Sequence, residues 1–170
     1  MKIGVISDTH TKINKAKRAI DFLLREGAEF FIHAGDICEV EILDALKNSG
    51  KKYVAVYGNN DAHLASVHNK YNLVQEPSYF KLANLKFKLM HLPFYMNPDA
   101  DVVISGHTHT FHSEYKNDTL FLNPGEVCAR SKPISECAML NVKEHNLIVT
   151  HYTRENATED FIPKVYNYAR

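Results

Sequence analysis

The chain has no tryptophan and only three cysteines, Cys38, Cys128 and Cys137, among 170 residues. The number is odd and no pair has C-x-x-C spacing. That argues against a disulfide framework or a zinc ribbon and fits a reducing cytosol. Neither sign of charge predominates, since Lys+Arg and Asp+Glu balance at 20 each. Such a balance supplies no bulk attraction to a nucleic-acid backbone or an anionic membrane. No apolar run approaches the roughly 20 residues of a membrane-spanning helix. No G-x-x-x-x-G-K-[ST] occurs, so a P-loop nucleotide site is unsupported. Internal repeats and low-complexity linkers are also missing. Met1-Lys2-Ile3-Gly4-Val5-Ile6 enters a strand pattern at once and is expected to leave no room for a signal peptide. A cytoplasmic protein is the expectation.

What is present is an ordinary globular composition, 45% hydrophobic and 24% charged, with an unusual ten histidines. The length suits one domain with a full core. Lys2 to Ile6, Glu29 to Ala34 and Tyr53 to Tyr57 are short apolar runs of the kind buried on both faces of a sheet. Between them lie two helix patterns. The first runs from about Lys15 to Arg25, with Asn14 as N-cap, Ala16, Ala19, Ile20, Leu23 and Leu24 on one face, and Gly27 as its stop. The second runs from about Val40 to Asn48. This rhythm predicts right-handed crossovers and a parallel sheet. From Tyr71 onward the pattern changes to hairpins: 79–82 with 86–90, 111–115 with 120–122, and 136–142 with 147–152. Val102-Val103-Ile104 adds a further strand. Two packed sheets flanked by helices would bury these runs. The tail, residues 153–170, is polar with an apolar stripe of Phe161, Ile162, Val165 and Tyr166, and Pro163 suggests a short or broken helix.

The chemistry is written just past the strand ends. Asp8 and His10, Asp36, Asn59 and Asp61, His91, and His107 and His109 all stand there, at the edge where open α/β sheets bind ligands. His107 and His109, at i and i+2, can aim at one point if the backbone is extended. Each group has a bland alternative: Asp36 could cap a helix and Asn59-Asn60-Asp61 could be a plain turn. Together they form a set of oxygen and imidazole donors without thiolate, suited to Mn²⁺, Fe²⁺, Zn²⁺ or Ni²⁺ more than to Ca²⁺ or Mg²⁺. The donors outnumber the needs of one ion. Two ions roughly 3.5–4 Å apart would use them all, clamping a phosphoryl oxygen and generating hydroxide at neutral pH.

Asp8-x-His10, Gly35-Asp36, Gly58-Asn59-x-Asp61, His91 and Gly106-His107-x-His109, in this order, resemble the calcineurin-like metallophosphoesterases. The opening Met-Lys-Ile-Gly-Val-Ile-Ser-Asp-Thr-His and the late Asn123-Pro124-Gly125 resemble the small YfcE-like phosphodiesterase branch. The resemblance covers residues 1–152, leaving 153–170 as a C-terminal tail. It implies a four-layer α/β/β/α sandwich and a phosphoesterase, favouring diesters, with Mn²⁺ or a similar ion. It further implies that Asp8, His10 and His109 hold one metal, that Asn59, His91 and His107 hold the other, and that Asp36 bridges them. Asn60, Asp61 and His107 become the candidate catalytic groups. A small phosphoester substrate and a second copy of the chain, as a homodimer, are the implied partners, with no membrane and no bulk nucleic acid.

Two departures from the family pattern stand out. Many members carry histidine at the slot of Asn60, which can donate a hydrogen bond but cannot act as a general acid; another acid would have to supply the proton. His91 is followed by the short apolar Leu92-Pro93-Phe94-Tyr95-Met96-Asn97-Pro98 instead of His-Gly and a helix, leaving the rim open there or covered by a partner. A non-catalytic scaffold is the rival reading, since a retromer subunit of similar fold is one. Among the other histidines, His33 reads as a core residue, His63 and His68 as solvated, and His112, His145 and His151 as hairpin surface. His112 and Arg130 stand near enough to the rim to touch a phosphate or substrate, and Cys38 is given no role.

Overall fold

The computed structural model describes residues 1–155 and 160–170. Its first half alternates: β1 (Lys2–Ile6), α1 (Ile13–Arg25), β2 (Phe30–His33), α2 (Val40–Asn48), β3 (Lys52–Val56), a 3-10 helix (Ala62–Lys70) and β4 (Leu73–Val74). Among the described residues the remainder is strands: β5 (Ser78–Leu82), β6 (Leu85–Leu89), β7 (Val102–Ile104), β8 (Phe111–Lys116), β9 (Thr119–Pro124), β10 (Ile134–Val142), β11 (Asn146–Glu155) and β12 (Ile162–Ala169).

Seven strands form one sheet in the order β12-β11-β10-β1-β2-β3-β4, and five form a second in the order β5-β6-β7-β9-β8. Strands β1, β2 and β3 are parallel, and β1 pairs antiparallel with β10 on its other side. Strict alternation divides the residues between two cores. Ile3, Val5, Ile32, Val54, Val56, Ala138 and Leu140 face the second sheet, where they meet Phe87, Leu89, Ile104 and Leu122. Their neighbours Ile6, Phe31, Ala55, Cys137 and Met139 face α1 and α2. Period-2 alternation therefore sends each strand's residues to opposite sides of the sheet, and both sides are apolar because both are covered. The result is the expected two-sheet α/β sandwich with helices. Over the outer face of the smaller sheet the covering layer is thin: Met96 packs on Met90, Ala100, Val103 and Phe121. Phe94 and Tyr95 beside it are 73% and 57% exposed.

Helix α1 begins at Ile13 with Lys12 as its N-cap, two residues before the expected start, and Asn14 lies within its first turn. No side chain caps it; the bend that starts it is closed by the backbone, with Lys12 N–H donating to Thr9 C=O at 3.0 Å. Its end is as expected. Gly27, at φ 91°, allows Gly27 N–H to reach Leu24 C=O and Ala28 N–H to reach Leu23 C=O, the Schellman pattern.

The tail differs from expectation. Residues 162–169 form a strand, not a short helix, and pair antiparallel with β11 from Thr153↔Ile162 to Asn146↔Ala169. Pro163 is tolerated because β12 is the sheet's outermost strand. Tyr166 and Tyr168, two apart, both turn onto the inter-sheet core. His151 is also not a surface residue. It is buried, stacks on Phe111 with ring centroids 3.7 Å apart, and places Nε2 3.1 Å from Glu136 Oε1.

Candidate metal centre

The loops after β1, β2 and β3 and those after β6 and β7 meet at one rim, because these five strands run parallel within their sheets and the sheets lie face to face. The loop after β9, which is parallel to β7, joins them. Close approach is enforced by glycine at two points. A Cβ on Gly106 would collide with Ser7 Oγ and Ala34 O, and one on Gly58 would collide with Asp36.

Five proposed ligands sit in the left-handed backbone region: Asp8 (φ 52°), His10 (43°), Asp36 (55°), His107 (66°) and His109 (57°). Each such residue costs about 1–2 kcal/mol. Strain of this kind persists where the surroundings over-determine it and clusters at functional sites. Here the backbone is pinned by Asp8 N–H to Gly35 C=O (3.0 Å), His10 N–H to Asp36 C=O (2.9 Å) and His107 N–H to Asp8 Oδ2 (3.1 Å). The two histidines of His-x-His therefore converge through positive-φ turns, not through the extended backbone expected from their spacing.

The ring tautomers are fixed from behind. His109 Nδ1 lies 2.6 Å from Glu126 Oε2, and His91 Nδ1 lies 2.8 Å from Ala34 O. Both partners only accept, so both Nδ1 atoms donate, and each ring in its neutral form presents an Nε2 lone pair to the centre. His109 Nε2 then lies 3.3 Å from His10 Nε2 and 3.3 Å from Asp8 Oδ1. His91 Nε2 lies 3.0 Å from Asn59 Oδ1 and 3.5 Å from Asp36 Oδ2. Asp36 Oδ2 is also 3.7 Å from His10 Nε2, so one carboxylate oxygen stands between the two groups of ligands. His107 Nδ1 lies 3.1 Å from Asn59 Oδ1 on the solvent side, where both residues are exposed. All seven predicted ligands are thus brought to one place.

Acceptors crowd acceptors here, and one is orphaned. Asp8 is fully buried; its Oδ2 accepts from the Ser7 hydroxyl at 2.6 Å, but its Oδ1 has no hydrogen-bond partner among the described residues. Burial pushes the Asp8 carboxyl up. It pushes the His10 ring down. Burial would also raise Asp36, but the His91 ring facing it and the hydrogen bonds from the Asn60 backbone and amide outweigh it and hold that carboxyl well below the usual range. Such a cluster fits divalent cations: carboxylates and imidazole lone pairs facing one point, with a buried oxygen lacking any donor.

Around the ligands stands a supporting shell. Asp61 accepts from the backbone N–H groups of Ile37 (3.1 Å), Cys38 (2.7 Å) and Gly58 (2.7 Å), tying two rim loops together; its carboxylate is occupied by the backbone. Asn60 donates from its backbone to Asp36 Oδ1 (3.0 Å) and from its amide to Oδ2 (2.8 Å). Glu126 is fully buried and accepts from His109, from the Cys128 thiol (3.1 Å), and from the backbone of Arg130, Ser131 and Lys132. Burial would raise it, but these donors lower it to about 2. Cys128 lies near His10 and His109. Its thiol is pushed up to about 12 by burial and by Glu126, to whose Oε2 it donates at 3.1 Å. Glu126 was missed as a functional residue in the sequence. Its signal was its place just past β9, the same kind of strand end that delivers the ligands.

His33 is a core histidine, as expected: it is fully buried, with Nε2 3.0 Å from the Thr9 hydroxyl and Nδ1 accepting from Gly35 N–H at 3.2 Å. His68 and His112 are exposed and outside the cluster, as is His63, although His63 holds the Cys38 carbonyl at 2.6 Å. Arg130 lines the cavity beside His10 and Asn60.

A family profile described as the calcineurin-like phosphoesterase superfamily domain matches residues 1–145. A phosphodiesterase of Methanocaldococcus jannaschii is 32% identical over 164 residues, covering 88% of this chain and 99% of that one. Among solved structures, the phosphoesterase YfcE of Escherichia coli superposes with a TM-score of 0.72 at 20% identity over 99% of both chains. Vps29 of Entamoeba histolytica, complexed with zinc, superposes with a TM-score of 0.71 at 20% identity, again over 99% of both chains.

Proposed function

Since the chain belongs to the calcineurin-like phosphoesterase superfamily, we propose that it is a phosphodiesterase working with two divalent cations at the rim just described. Asp8, His10 and His109 would hold the first ion, Asn59, His91 and His107 the second, and Asp36 both. The oxygen and imidazole set suits Mn²⁺, Ni²⁺, Fe²⁺ or Zn²⁺, and the family resemblance favours Mn²⁺ among them. The ions would supply positive charge against the phosphoryl oxygens and a nucleophile at neutral pH.

The chain's own contribution is placement. Glu126 and the Ala34 carbonyl hold the His109 and His91 rings in one tautomer, which is the work of an outer shell in a metal site. Asn60 keeps Asp36 ionised and aimed between the two ligand groups. Asp61 acts behind the centre, fixing the loops that carry Asp36 and Asn59. His107 and Asn60 stand on the open side, where a phosphate would enter. The observation that carries the reading is the orphaned Oδ1 of buried Asp8, 3.3 Å from the Nε2 lone pair of His109.

Metal content of the purified protein and Mn²⁺-dependent hydrolysis of an aryl phosphodiester test it, with Asp36→Asn as control. About two ions per chain are expected, with activity down at least about 10²-fold and metal content reduced in the variant. An Asp36→Asn protein with full activity and normal metal content would end the dinuclear assignment. Exposed Phe94 and Tyr95 favour a second reading, a protein-interaction role. Metal bound without turnover would point to it. Among the described residues no helix is long and apolar enough to cross a membrane, and the three cysteines are unpaired, which supports a cytoplasmic setting.

A further inference from the structure

A cavity of about 710 Å³ opens beside the ligand cluster, and His10 and Asn60 form the wall it shares with that cluster. Breaking a phosphodiester expels an alkoxide, which needs a proton as the P–O bond opens. Asn60 has no acidic proton, and its amide is committed to Asp36 Oδ2 at 2.8 Å. The cavity's two thiols, Cys38 and Cys128, are each pushed up to about 12 by burial, and the Cys128 proton points at Glu126. Lys12, Glu39 and Arg130 set the charge of the walls. A guanidinium does not release its proton. His10 turns Nε2 into the ligand cluster. One imidazole outside the cluster remains on the cavity wall, that of His63. Histidine is the side-chain type that gives up and regains a proton around neutral pH.

The His63 ring is oriented. Its Nε2 lies 2.6 Å from the Cys38 carbonyl oxygen, which can only accept, so Nε2–H is donated there and Nδ1 is left for exchange. The carbonyl is itself held in place. Cys38 adopts a left-handed backbone at φ 63°, and its N–H donates to Asp61 Oδ1 at 2.7 Å. Asp61, Cys38 and His63 thus form one chain of support from the core to the cavity wall.

We propose, resting on the phosphodiesterase reading, that His63 protonates the leaving group. As water's oxygen bonds to phosphorus and the scissile P–O bond breaks, Nδ1–H of the protonated ring passes its proton to the departing oxygen. The products are an alcohol and a phosphomonoester; the neutral ring takes a proton from solvent, and the proton lost by the attacking water goes to solvent.

The test compares wild type and His63→Gln, loaded with the same metal, on bis(p-nitrophenyl) phosphate and on diphenyl phosphate. A nitrophenolate leaves well without a proton; a phenolate is a poorer leaving group. The expected loss in kcat/KM on the phenyl ester exceeds that on the nitrophenyl ester by about 10²-fold. The alkaline limb of the phenyl-ester pH profile should disappear, with metal content and Tm as in wild type. Equal losses on both esters, or no loss on either, would overturn the proposal. His63 is exposed, and His63→Asn gives the same comparison should the longer amide disturb the fold. Wild-type protein inactive on both esters would overturn the phosphodiesterase reading, and this proposal with it.

Discussion

Glu126 sets the state of His109, and the consequence is measurable. Its two oxygens collect the His109 ring, a thiol and three backbone N–H groups while remaining fully buried. Glu126→Gln removes the charge and leaves donors short of acceptors, so a loss of about 1.5–3 kcal/mol is expected. Through His109 it should weaken metal binding by about 10–100-fold. Denaturant unfolding of the metal-free protein and a metal titration separate the two effects; metal affinity equal to wild type would remove Glu126 from the account. At this scale the sequence was most informative for groups whose chemistry is unusual in a strand-end loop, such as Asp8, His10, Asp36 and His107. It was least informative for Glu126, because a glutamate after Asn123-Pro124-Gly125 looks like an ordinary turn residue until a buried partner is known. The left-handed backbone of the ligands was equally hidden, because Asp and His tolerate it without announcing it, whereas Gly27 announced its turn.

Strand β12 shows the limit at the scale of elements. Its stripe was read at helical spacing, yet the residues that matter are Tyr166 and Tyr168, at strand spacing, on the inter-sheet core. Pro163 misled because its effect depends on whether the strand is central or at an edge, and sheet order is not written locally. Phe161 stacks on Phe22 with centroids 4.4 Å apart and is 9% exposed. Truncation after residue 155 should therefore lower Tm by about 10 °C or more, given about 3–5 kcal/mol for a buried Phe alone and 2–4 °C per kcal/mol at this size. It should also promote self-association, since β11 becomes a bare edge. Calorimetry and size-exclusion chromatography check both; an unchanged Tm with a monomeric profile would make the tail a mere appendage. The parallel strands were legible for the opposite reason. Short runs such as Gly4-Val5-Ile6 and Phe30-Phe31-Ile32 are apolar on both faces, which only a covered sheet explains.

For the molecule as a whole, His33 makes stability depend on pH. Burial, its largest influence, lowers the ring from 6.5 to about 3, so the folded protein keeps it neutral where the unfolded chain would protonate it. Its contribution is fully present above pH 6.5 and is lost as pH falls toward 3, with a slope of up to about 1.4 kcal/mol per pH unit. Chelator-treated wild type and His33→Gln, unfolded in denaturant across this range, should differ in slope, the variant being flatter; parallel curves would show that His33 does not titrate with folding. The order of strands carries a different consequence, one of time. Strand β1 is made before β2, β3 and β10 and lies inside the larger sheet, parallel to β2 on one side and antiparallel to β10 on the other. On the ribosome, the segment through β3 can assemble while the other side of β1 stays open until residues 134–142 have been synthesised. Until then the nascent chain displays an apolar edge that any passing strand could occupy, so slow translation of the middle third should raise the yield of aggregates.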